Sequence, residues 1–189
     1  MAKNTEPGSF VSDVAELRRR ARAHLEQGAL TQNYQGSPQD TVRILNEAVA
    51  TEIVCVLRYK FHAVMAQGIS SESVKAEFLE HAGDEERHLG MLTERINQLG
   101  GTPNMNPKGL SERSATEFVE GGNLVEMIKE NLVAERIAVE SYRDMIRYFA
   151  DRDPTTRVML EEILADEEGH ANDMHDLLVA HEGRPSLQK

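Results

Sequence analysis

The pentapeptides DEERH, Asp84 to His88, and DEEGH, Asp166 to His170, decide how this chain reads. Each places a glutamate three positions ahead of a histidine. Three positions along a helix return to the same face about one turn away, so Glu85 and His88 can address one point, as can Glu167 and His170. Upstream, NEAVATEIVCVLRYK (Asn46 to Lys60) lies on KENLVAERIAVESYR (Lys129 to Arg143) without a gap, setting Glu52 on Glu135 and Tyr59 on Tyr142. Glu52 precedes Glu85 by 33 positions and Glu135 precedes Glu167 by 32. Each half therefore supplies one glutamate and then one Glu-x-x-His, as a duplicated helical hairpin would.

Start and stop signals frame four long helices. Ser37-Pro38-Gln39-Asp40 offers an N-cap, a proline at the first helical position and an acid after it. From there Val42, Leu45, Val49, Ile53, Val56, Leu57, Phe61 and Val64 keep helix periodicity, and Gly68 stops it. A second helix runs from about Val74 to Gly100-Gly101. GTPNMNPKGLSERSATEFVEGG reads as a long connection with one short helix at SERSATEFV. Asn123-Leu124-Val125-Glu126 is a capping box opening a third helix to about Ala150. Asp153-Pro154 opens a fourth that ends near Gly183 and Pro185. Helices of this length span about 40 Å. A long link between the second and third returns the chain along the bundle, the crossover form of a four-helix bundle. VSDVAELRRRARAHLEQ reads as an additional amphipathic N-terminal helix. The expected organisation is an N-terminal extension at 1–36, an all-α bundle at 37–183 and a short tail at 184–189.

The bulk numbers agree. A chain of 189 residues, 40% hydrophobic and 28% charged, suits one globular domain. Six prolines, five phenylalanines and no tryptophan favour helices over sheet. A formal net charge of −11 repels nucleic acid from the body of the protein and attracts cations. The single cysteine, Cys55, excludes an intrachain disulfide or a thiolate zinc cluster. MAKNTEPGSF lacks a signal peptide's apolar core, and no apolar run approaches the about 18 residues of a membrane span. A cytoplasmic location is expected.

Glu52 and Glu135 interrupt apolar stripes, VATEIVCVL and LVAERIAV, which places them inside the bundle. Four carboxylates converging there would repel each other and lose their hydration at high cost. Bound cations remove the conflict. Four carboxylates and two imidazoles suit two borderline metals such as iron or manganese, whereas structural zinc sites prefer thiolates and calcium prefers oxygen alone.

At these residues the chain resembles the ferritin-like di-metal proteins. Within that class it is similar to the bacterioferritins and the bacterioferritin-like relatives of Dps. LNEAVATEIVCVLRYKFHAVM, DEERHLGMLTERINQLGGTPN and EILADEEGH carry the likeness, which covers Leu45 to about Leu178. The resemblance implies Glu52, Glu85, His88, Glu135, Glu167 and His170 as metal ligands, with Glu85 and Glu167 bridging. Tyr59 matches a tyrosine beside the di-iron centre. It further implies a ferroxidase that oxidises Fe(II) with O2 or H2O2, storing or detoxifying iron as ferric mineral in a homo-oligomeric shell. Glu86 stands where bacterioferritins carry their haem-binding methionine, which argues against haem. EGRPSLQK is too short for the fifth helix of 24-subunit cages, so twelve subunits are expected. The alternatives are a di-iron peroxidase, a manganese catalase, or a DNA-protecting shell of the Dps kind.

The remaining features have plainer readings. The basic LRRRAR, Leu17 to Arg22, is read first as a solvated face or subunit contact and second as a DNA contact. Tyr59 is expected beside the metals, as partner or electron donor, and Tyr142 in core packing. Cys55 reads as a small buried hydrophobe and His62 as an interior residue rather than a ligand. His24, His81, His175 and His181 are read as structural.

Overall fold

The computed structural model describes residues 13–68 and 71–182, which contain helices and no strand. Two compact units divide the chain between Tyr34 and Gln35. In the first, Asp13 caps α1 (Val14–Ala21) by accepting from the Glu16 amide at 3.1 Å. The helix is shorter than the sequence pattern suggests. His24 takes a left-handed conformation at φ 55°, breaking the run before a single 3-10 turn at Leu25–Gln27. Val11 and Ser12 of that expected helix lie outside the described residues.

The second unit is a four-helix bundle built from two hairpins. Ser37 caps α2 (Pro38–Met65) through the Asp40 amide, with Pro38 at the first turn where a missing N–H costs nothing. The first hairpin continues through α3 (Ser71–Gln98). Gly100, at φ 74°, ends α3 in a Schellman turn: the Gly101 amide donates to Ile96 O and the Gly100 amide to Asn97 O, both at 2.9 Å. A Cβ on Gly101 would stand 2.5 Å from Val42 Cγ2, so glycine lets this turn close onto the start of α2.

The crossover contains only α4 (Leu110–Arg113), earlier and shorter than the helix expected at SERSATEFV. From Ser114 the chain extends because α2 side chains claim its backbone. Thr51, Cys55, Arg58 and His62 form one stripe at helical spacing. The Ala115 amide donates to Thr51 Oγ1, Cys55 Sγ meets Thr116 Oγ1, and Arg58 Nη1 donates to Glu117 O. His62 Nε2 donates to Val119 O, which leaves Nδ1 to accept from Asn131 Nδ2. Asn131 in turn accepts from Arg58 Nε, closing the network. His62 thus anchors the connection, and burial pushes the Cys55 thiol up to about 12.

Asn123 opens α5 (Leu124–Phe149) by accepting from the Glu126 amide, while Glu126 Oε2 reaches back to the Gly122 amide. The second hairpin closes through α6 (Pro154–Glu182), whose stop signals at Gly183 and Pro185 lie outside the described residues, as does the tail at 184–189. Buried Asp153 caps it through the Thr156 amide and is gripped by Arg95 from α3 at 2.9 and 3.0 Å. The helices α2 and α3 pack along each other, as do α5 and α6, and the hairpins meet through α2 with α5 and α3 with α6. At one end the core is Ala63, Val74, Phe78, Ile128 and Met174. Leu45, Leu92, Ile96 and Leu160 are also fully buried. Between these apolar layers lie the charged groups.

Candidate metal centre

Four helices each send a glutamate into that middle layer: Glu52 from α2, Glu85 from α3, Glu135 from α5 and Glu167 from α6. His88 and His170 follow one turn after the second and fourth. All six are buried. Their ligand-type atoms fall into two groups, each within 4.8 Å: Glu52, Glu85, His88 and Glu167, and Glu85, Glu135, Glu167 and His170. The groups share Glu85 and Glu167, the two glutamates of the repeated pentapeptides.

These carboxylates are not satisfied by the protein. Among the described residues, every buried side-chain oxygen without a donor belongs to them: Glu52 Oε2, Glu85 Oε1, Glu135 Oε2 and both oxygens of Glu167. His88 Nδ1 stands 3.1 Å from Glu167 Oε1 without making a hydrogen bond to it. Buried carboxylate oxygens without donors are costly, so the donor set fits cations. Burial, followed by the charge of Glu167, pushes the Glu85 and Glu135 carboxyls well above the usual range. Burial acts the same way on Glu167, but the neighbouring His170 and His88 outweigh it and hold that carboxyl low. Burial opposes protonation of His88, yet Glu167 and Glu52 raise it to about 10. His170 is raised against the same burial by Glu167.

The surrounding contacts cross between the hairpins. Tyr59 on α2 donates to Glu135 on α5, and Tyr142 on α5 donates to Glu52 on α2. Tyr142 thus holds an acid of the cluster, beyond the core packing expected of it. The leading aspartates of the pentapeptides also reach across: His88 Nε2 faces Asp166 Oδ2 at 3.2 Å, and His170 Nε2 faces Asp84 Oδ2 at 3.4 Å. Such partners orient a ring so that its other nitrogen, here Nδ1, points at the carboxylates. Arg87 binds both aspartates, Asp166 at 2.6 Å and Asp84 at 3.4 Å.

Arg87 has no counterpart in the second half, where Gly169 stands, and a second contact is likewise not duplicated. His81, expected to be structural, stacks on His170 with ring centroids 4.0 Å apart, and its Nδ1 lies 3.1 Å from the Tyr59 hydroxyl. Burial and then the charge of His170 depress its pKa to about 3. The aspartate roles could have been read from the conservation of Asp84 and Asp166 between the two halves. His81 has no counterpart there, since Ile163 occupies the matching position. Glu86, at the position compared with a haem-binding methionine, pairs with Lys60 on the exposed side of the hairpin.

Comparison with known proteins gives this geometry its relatives. A model of the ferritin-like domain family matches residues 42–182. Bacterioferritin BfrA of Mycobacterium tuberculosis is 31% identical over 137 residues, 72% of this chain and 81% of that protein. A nutrient stress-induced DNA-binding protein of a Synechococcus strain is 33% identical over 132 residues, 67% of this chain and 74% of its own length. Among solved structures, a dodecameric thioferritin, the bacterioferritin-related protein of Bacteroides fragilis, superposes with a TM-score of 0.75 at 27% identity, covering 82% of this chain and 94% of that one. Family match, bacterioferritin relative and the crossover bundle agree: the chain belongs to the ferritin-like family.

Proposed function

We propose that this protein stores and detoxifies iron, oxidising Fe(II) at the buried pair of positions and keeping the ferric product in a shell of its own copies. The observation that carries the reading is the set of donorless buried carboxylate oxygens in two groups sharing Glu85 and Glu167. Fe(II) is the substrate. One ion takes Glu52 and His88, the other takes Glu135 and His170, and Glu85 and Glu167 bridge. Ions held about 3.5–4 Å apart can both reach one oxidant. Each gives one electron; H2O2 takes two electrons and two protons and leaves as two waters, while O2 so reduced leaves as H2O2. Tyr59, bonded to Glu135, and Tyr142, bonded to Glu52, hold those two acids in position.

Family membership supports iron storage in general, and the dodecameric relative supports a twelve-subunit shell. The net charge of −11 suits the attraction of Fe(II). A DNA-binding shell is not favoured, because a net charge of −11 repels phosphates from the body of the protein. Among the described residues no helix is long and apolar enough to cross a membrane.

The test is anaerobic Fe(II) titration followed by air or peroxide, with absorbance and particle mass followed together. A break at two Fe(II) per chain, then progressive loading, is expected. Glu85→Ala should abolish the fast oxidation while leaving a folded bundle; an unchanged initial rate would overturn the assignment. Rapid H2O2 turnover without iron retention would move the reading to a di-iron peroxidase or manganese catalase.

A further inference from the structure

Glu77, His81 and Asp173 lie outside the buried pair and share no residue with it. We propose that these three side chains hold one further divalent cation of the borderline class, with water completing its coordination. Their ligand-type atoms lie within 4.8 Å of one another. Glu77 and His81 are four apart on α3, the spacing by which one helix face offers two ligands to one ion, and Asp173 comes from α6.

The separations favour an ion over direct pairing. His81 Nε2 stands 3.4 Å from Glu77 Oε1 and 3.6 Å from Asp173 Oδ2. Charge-assisted N–H···O bonds close to about 2.7–2.9 Å. Nitrogen and oxygen ligands bound at about 2.0–2.2 Å with near-tetrahedral angles stand about 3.4 Å apart.

The ring is turned for the same purpose: His81 Nδ1 lies 3.1 Å from the Tyr59 hydroxyl, and Nε2 faces both carboxylates. The hydroxyl bond to Nδ1 also fixes the ring as metal-bound imidazoles are usually fixed.

The place of the site suggests its use. The Asp173 and Glu77 side chains are 53% and 33% exposed, whereas that of His81 is only 3% exposed and its ring lies against His170. A cation arriving from solvent is thereby held next to the buried cluster, on one side only. Shifted by the 82 positions that carry Glu85 onto Glu167, Glu77 and His81 fall on Met159 and Ile163 of the second half. Duplication of the hairpin therefore does not account for these residues.

Zn(II) is a suitable probe, because it binds such sites without being oxidised. Dialysis of the full-length protein against Zn(II), with bound metal counted, should show one equivalent per chain for each of the three groups. Anomalous diffraction should place one of them among Glu77, His81 and Asp173. The double substitution Glu77→Gln with Asp173→Asn alters partly exposed groups only. It should remove that peak and one equivalent and leave the other two. Glu85→Ala should weaken the buried pair and spare the third ion, which would show that the sites are independent. A third equivalent that survives the double substitution, or its absence from the unaltered protein, would overturn the proposal without touching the reading of the pair.

Discussion

Two of the clustered acids are pushed toward the protonated form, so a cation bound there would displace their protons. Burial and the charge of Glu167 raise Glu85 and Glu135, so the metal-free folded chain keeps protons there that the unfolded chain gives up near pH 4.3. The protonated His88, raised to about 10, acts in the same direction above its unfolded value of about 6.5. In both cases the folded state binds more protons, so stability falls as pH rises. Glu167 and His81 run the other way: the first loses its contribution as pH falls below the ordinary carboxylate range, and the second, depressed to about 3, loses its own as pH falls below its unfolded value of about 6.5. Melting followed in chelator should therefore show Tm falling between pH 5.5 and 8, and Glu85→Gln with Glu135→Gln should flatten the slope. Saturating Zn(II) should reverse it, because binding expels those protons. A Tm that rises with pH in the metal-free protein would contradict this account. The six central residues were legible because duplication printed them twice. Asp84 and Asp166 were printed twice as well, yet their partners lie in the opposite half, and only packing brings Asp166 to His88 and Asp84 to His170.

Most helix ends were legible, since caps are local chemistry: Ser37, Asn123 and the Gly100-Gly101 pair behave as their residue types dictate. The crossover was not, because its shape is imposed from outside. Nothing within residues 115–119 says that Thr51, Arg58 and His62 will bind their backbone. The cap of α6 combines both kinds of information. Asp153-Pro154 marks the start of the helix, but the grip of Arg95 joins α3 to α6 through a buried ion pair. Asp153→Ala removes the cap and strands a buried guanidinium, a loss of about 3–5 kcal/mol. Asp153→Asn keeps an acceptor for the Thr156 amide and should lose clearly less. Urea denaturation of the metal-free protein measures both, and equal losses would mean that the cap adds nothing beyond the ion pair.

The bundle keeps apolar surface that its own helices do not cover. Leu57 and Val64, seven apart on one face of α2, are 49% and 79% exposed, and Phe118 beside Phe61 extends the patch. Leu57 and Val64 belong to the apolar series that marks α2 as a helix, but the core lies on the adjacent face with Val54, Tyr59 and Ala63. Contiguous exposed apolar surface of this kind marks an interaction face, and symmetric association of identical chains is its commonest use. All six clustered residues come from one chain, so under the proposed function oxidation and storage would depend on assembly differently. Leu57→Glu with Val64→Glu should give a smaller particle by light scattering, with helical circular dichroism unchanged. The initial rate of Fe(II) oxidation at two ions per chain should persist in that variant, because each bundle carries its own pair. Retention of mineral should be lost, because no enclosed volume remains to hold it. If loading continued in the dissociated protein, ferric product would be held elsewhere than in a shell. If oxidation and loading disappeared together while the helices stayed intact, the pair would need a neighbouring subunit to work.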